Sequence, residues 1–125
     1  MSGAPRILIV EDSTMVRITV KRTLLAVEFE VDEARDGAEG LAKAQASATP
    51  YDLILTDLNM PNLDGLSMVK AIRATPGYEQ TPIVMLTTES GEEKKSVGHD
   101  AGISAWLVKP FEPDALVEMV GGMLF

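Results

Sequence analysis

The chain has 125 residues, 46% of them hydrophobic and 24% charged, which suits one folded domain around one hydrophobic core and excludes a disordered or fibrous protein. Its net charge of −8 lacks the basic footprint that nucleic acid or an anionic membrane surface demands. With no cysteine there is neither a disulfide framework nor a thiolate metal site; no apolar run reaches the ~18 residues of a membrane helix; and Met1 to Pro5 carries no secretion signal, so a reducing cytoplasm is the expected setting.

Taken in chain order, the apolar segments alternate in kind. Ile7-Leu8-Ile9-Val10 is short, continuous and β-branched, as a strand buried on both faces should be. Ser13 or Thr14 can cap a helix on which Val16, Val20, Leu24 and Val27 recur at helical spacing. Phe29 and Val31 alternate with Glu30 and Asp32, the pattern of a half-exposed strand. Asp36-Gly37 opens a second helix, with Ala38, Leu41, Ala42 and Ala46 expected to face inward. A third strand is predicted over Tyr51 to Thr56, and a helix over Asp64 to Ala74 carries Leu66, Val69 and Ile72. Pro82 to Thr87 predicts a fourth strand, Glu89 to Asp100 a polar helix, and Ala105 to Val108 a fifth strand. Pro113 suits the first turn of a last helix striped by Leu116, Met119, Val120 and Met123, and the methionines in general read as core packing.

Five strands alternating with five helices imply an α/β fold: a parallel sheet with helices on both faces. The weakly apolar second strand belongs at an edge, which gives the flavodoxin-like strand order 2-1-3-4-5. Ligands of such sheets bind beyond the carboxyl ends of the strands. There the sequence places Glu11-Asp12, Asp57, Thr87-Thr88 and Lys109-Pro110.

Singly, each has an ordinary explanation. The acids favour a helix N-terminus, a threonine caps a helix, and a lysine lies over the sheet with its head in water. Together they do not. Two carboxylates about 4 Å apart repel by roughly 4 kcal/mol at an effective dielectric of 20, which calls for a cation among them. A calcium loop starting at Asp57 fails, because Pro61, Asn62 and Met68 fall where the loop needs a ligand, a glycine and a bidentate glutamate. Magnesium suits the set, since it uses one or two carboxylates, keeps several waters and adds phosphate oxygens. With Lys109 beside it the cluster suits phosphoryl transfer: Asp57 the nucleophile, Thr87 a hydrogen-bond donor to the phosphoryl group.

On I-L-I-V-E-D-S at 7–13, D-L-N-M-P-N-L-D-G at 57–65, Thr87-Thr88 and V-K-P-F at 108–111, the chain resembles the receiver domain of two-component response regulators, here as a single domain over 1–125. The resemblance implies that Asp57 accepts a phosphoryl group from a histidine kinase's phosphohistidine. It implies magnesium held directly by Asp12 and Asp57, through water by Glu11, and by the backbone carbonyl of Asn59. Thr87 and Lys109 would sense the phosphoryl group, Trp106 would take the place of the family's switch tyrosine or phenylalanine, and Asn59 and Glu89 would tune phosphoryl lifetime. The output surface would be the polar helix over 89–100, the fifth strand and the last helix. The Lys109-Pro110 bond resembles one that is usually cis in the family.

Among receivers the chemotaxis (CheY-like) class is most similar, and the end at Phe125 fits a stand-alone monomer that acts by binding proteins. The expected partners are a histidine kinase, a protein target such as the flagellar motor switch, and a phosphatase; neither nucleic acid nor membrane is expected. A phosphorelay receiver, or a receiver cut from a longer regulator, would look the same. The chain would not be an enzyme beyond promoting its own phosphorylation and dephosphorylation. A haloacid-dehalogenase-type phosphatase needs a second aspartate where Asn59 stands, and a flavin module needs a phosphate loop where Glu11-Asp12 stands.

Overall fold

The computed structural model describes residues 4–58, 60–88 and 102–125. Its elements are β1 (Arg6–Val10), α1 (Thr14–Leu25), β2 (Glu30–Ala34), α2 (Gly37–Ala46), β3 (Leu53–Asp57), α3 (Gly65–Arg73), β4 (Ile83–Thr87), β5 (Ala105–Val108) and α4 (Pro113–Leu124). The five strands are parallel in the order β2-β1-β3-β4-β5, the CheY-like flavodoxin order that the sequence predicts. Four helices lie among the described residues; the polar helix predicted over 89–100 falls outside them. No helix among the described residues is long and apolar enough to cross a membrane.

Alternation along the strands builds two cores. Leu8, Val10, Ile54, Ile83 and Met85 pack against α3 through Met68, Val69 and Ile72. Ile7, Ile9, Leu53, Leu55, Val84 and Leu86 face the other way, against Val20 and Leu24 of α1 and Leu116 and Val120 of α4. The central strands are buried on both faces because both are covered.

The structure corrects two predicted faces. α1 stops at Leu25, and Val27 is 38% exposed. The chain turns through Glu28, at φ 67°, and Phe29 fills the core position in its place. On α2, Ala38, Ala42 and Ala46 are exposed, and the buried face is Gly37, Gly40 and Ala44. The helix lies so close to the sheet that a Cβ on Gly40 would stand 2.8 Å from Val10 Cγ2 and 2.9 Å from Met68 Sδ. Packing here selects for the absence of a side chain. The methionines also divide: Met68 and Met85 are fully buried, but Met15 is 79% exposed.

Candidate active site

Strand register brings the strand ends to one rim. Val10 pairs with Thr56, Asp57 with Leu86, and Thr87 with Val108, so the residues that follow meet there. Glu11 extends the β1–β2 ladder by one bond, its N–H donating to Ala34 O at 3.0 Å. Asp57 closes β3, and its Oδ1 accepts from Leu58 N–H at 2.8 Å. Lys109 is held by its backbone, N–H to Thr87 O at 2.8 Å, and the Lys109–Pro110 bond is cis.

Carboxylate oxygens of Glu11, Asp12 and Asp57 lie within 4.8 Å of one another. Glu11 is buried at 1% exposure, while Asp12 faces solvent. Lys109 Nζ stands 2.9 Å from Glu11 Oε1 and 3.5 Å from Asp57 Oδ1. One ammonium therefore serves two carboxylates. Burial pushes the Glu11 carboxyl up to about 7; the hydrogen bond from Lys109 opposes this and the Asp57 charge adds to it. Glu11 Oε2 is buried with no hydrogen-bond partner among the described residues. A buried carboxylate oxygen left without a donor is costly, and a hard cation or its water would complete it. The donor set, oxygen only and rich in carboxylate, fits magnesium.

Of the residues singled out in the sequence, Glu11, Asp12, Asp57 and Lys109 come together. Thr87, 1% exposed, ends the neighbouring strand. Trp106 stands apart from this cluster, opposite Met85 in register and packed against the α3-side core. Asn59 and Glu89 lie outside the described residues. Asp64, in the same run as Asp57, is a helix cap: its Oδ1 accepts from Ser67 N–H at 2.8 Å.

Three supporting contacts are not evident from the sequence pattern. Arg17 Nη1 donates to the Glu11 carbonyl at 2.8 Å, and its Nε to Glu33 Oε1 at 3.3 Å. Asn62 donates to Asp36, the α2 cap, at 2.8 Å, which ties the loop after Asp57 to α2. Gly65 packs so tightly that any Cβ would collide with the Asp57 carbonyl oxygen. Only the last has a sequence signal, a glycine directly after a helix-capping aspartate.

Such a rim, with one buried and two more accessible carboxylates around a lysine on a 2-1-3-4-5 sheet, is that of a receiver. The chain belongs to the response regulator receiver domain family, whose model matches residues 7–121. It is 40% identical over 114 residues to chemotaxis protein CheY1 of Helicobacter pylori, covering 90% of this chain and 91% of that one. It is 41% identical over 104 residues to a gliding motility regulatory protein of Myxococcus xanthus, a match covering 83% of this chain but 13% of that protein. Among solved structures it is similar to Vibrio cholerae chemotaxis protein CheY4, with TM-score 0.92, 43% identity, and coverage of 98% and 100% of the two chains. The receiver domain of the sensor histidine kinase PA1611 from Pseudomonas aeruginosa matches at TM-score 0.88 and 28% identity over 98% of each chain, and that structure has a magnesium ion coordinated in its active site cleft.

Proposed function

We propose that this CheY-like receiver accepts a phosphoryl group from a histidine kinase onto Asp57, in a magnesium-dependent reaction, and signals to a protein target in chemotaxis. The observation that carries this reading is the gathering of the Glu11, Asp12 and Asp57 carboxylates within 4.8 Å, beside Lys109. Asp12 and Asp57 would hold the ion directly, Glu11 would act through water, and the family resemblance adds the backbone carbonyl of Asn59 as a further ligand. Bound magnesium supplies neutralisation of phosphoryl oxygens. The Asp57 carboxylate attacks phosphorus, and the P–N bond of the phosphohistidine breaks with its electron pair going to the imidazole. Lys109, whose Nζ reaches within 3.5 Å of Asp57 Oδ1, takes a phosphoryl oxygen, and Thr87 donates to another. Glu11 holds Lys109 in line from the side away from solvent.

Output passes through Thr87 to Trp106 and the surface formed by residues 89–100, β5 and α4, with Asn59 and Glu89 setting the lifetime of the phosphoryl group. The target in this reading is the flagellar motor switch, with a phosphatase to reset the signal; the chemotaxis relatives support the chemotaxis role. The chain works as a single receiver domain, a cytoplasmic monomer; the Myxococcus match supports a second reading, a receiver within a longer motility regulator.

Intact mass after incubation with magnesium and acetyl phosphate tests the chemistry. One added phosphoryl group is expected, absent without magnesium and in Asp57→Asn. An adduct that persists in Asp57→Asn moves the acceptor elsewhere.

A further inference from the structure

We propose that Arg17 is a positioning residue for the metal site: its guanidinium ties the Glu11 backbone to a side chain of β2 and so holds Asp12 where it can take the ion. This rests on Glu11, Asp12 and Asp57 as the residues that gather magnesium. Two of those acids sit on the short segment between β1 and α1, and that segment is held from both sides at Glu11. The Glu11 N–H donates to Ala34 O at 3.0 Å, and the Glu11 carbonyl accepts from Arg17 Nη1 at 2.8 Å. The orientation of the Glu11–Asp12 peptide, from which the Asp12 side chain departs, is thereby set.

Arg17 is itself anchored. It is the fourth residue of α1, and its N–H closes the first helical turn on Ser13 O at 2.9 Å. Its Nε donates to Glu33 Oε1 at 3.3 Å, while Lys21 Nζ donates to Oε2 of the same carboxylate at 2.8 Å. The Arg17 side chain is 12% exposed, so packing fixes the fork as well as its acceptors do. The charges explain why a tether is needed. Three carboxylates with oxygens within 4.8 Å of one another repel, and Asp12 is the member that faces solvent. Pinning the peptide at Glu11 limits how far Asp12 can retreat, so an arriving ion meets a formed site. Groups that orient metal ligands in this way change affinity by roughly 10–100-fold when removed. Charge alone predicts the opposite sign, because taking a cation away from the neighbourhood of a cation site should tighten binding.

The test titrates magnesium alone into the parent chain, Arg17→Met, Arg17→Lys and Lys21→Met, with backbone amide resonances reporting the Kd. The Kd is expected to rise about tenfold in Arg17→Met. It should rise severalfold in Arg17→Lys, which keeps the charge but replaces the fork with a single donor group. Lys21→Met removes the other partner of Glu33 and is expected to stay within about twofold of the parent, as an exposed ion pair should. A second readout needs no metal: in both Arg17 variants the Glu11 carbonyl carbon is expected to shift upfield, as it loses a hydrogen bond. A folded Arg17 variant that binds magnesium as tightly as the parent or more so, an unmoved Glu11 carbonyl, or an equal loss in Lys21→Met overturns the positioning role and leaves the metal site standing. A parent chain that binds no magnesium overturns the metal site and the role of Arg17 with it.

Discussion

Glu11 is a carboxylate that the fold has removed from water and given half of one lysine. Its carboxyl rises from the usual 4.5 to about 7, chiefly through burial. Between those values the folded protein keeps a proton that the unfolded chain has released, so stability falls as pH rises through the window. The loss in metal-free protein is on the order of a few kcal/mol, at ~1.4 kcal/mol per pKa unit. Urea unfolding in EDTA, below and above the window, reads this slope, and Glu11→Gln is expected to flatten it. A variant with the parent's slope would assign the pH dependence to another group. Trp106 offers a second residue-level test because it is the chain's one tryptophan, so its emission reports a single place. Its indole packs against the α3-side core, one strand away from β3 and Asp57 across β4. Magnesium with beryllofluoride, a stand-in for the phosphoryl group, is expected to change that emission. Unaltered emission, with binding shown independently, would remove Trp106 from the route of the signal.

At the scale of elements, α2 shows where sequence patterns mislead. Hydropathy sees alanines and a leucine, and so points to Ala38 and Ala42; the helix instead docks through Gly37, Gly40 and Ala44. Glycine carries no hydrophobic signal, yet it is what allows the close approach. Gly40→Ala would gain roughly 1 kcal/mol in helix propensity. Against this, its Cβ would press into Val10 and Met68, both fully buried, and overpacking costs about 1–3 kcal/mol. The clash is expected to win, giving net destabilisation in urea, while Ala42→Gln on the exposed face should stay within about 0.5 kcal/mol. The reverse order of effects would mean that α2 packs on the face its periodicity suggests. The α3 terminus was equally illegible. Arg73 donates through Nε and Nη2 to Gly102 O, at 3.2 and 2.6 Å, and through Nη1 to Tyr78 O at 2.7 Å. Its acceptors are backbone carbonyls, which no residue pattern announces. The gathering of Glu11, Asp12, Asp57 and Lys109 was legible for the opposite reason: each ends an apolar strand or follows one within two residues, and a parallel sheet sends every strand's carboxyl end to the same rim.

The whole molecule sets two cores of ordinary apolar packing against one rim of concentrated negative charge. The cores stabilise the fold, and at the rim three carboxylates gather where a single ammonium pairs with two of them, in a protein already at −8. Magnesium should therefore act on global stability, not only on chemistry. An ion that binds the folded state alone stabilises it by about 2.7 kcal/mol at one hundred times its Kd. For a chain of this size that raises the melting temperature by on the order of 10 °C. General screening of net charge would also help, so sodium chloride at matched ionic strength is the necessary comparison. Screening weakens every exposed repulsion alike, whereas a bound ion needs the carboxylates near Lys109. Magnesium is thus expected to exceed sodium by most of that increment in the parent protein. In Asp12→Asn the two salts should become nearly equal, because Asp12 is the solvent-facing member of the cluster and leaves the buried packing intact when changed. Equal shifts from the two salts in the parent would mean that the rim is relieved by ionic strength alone.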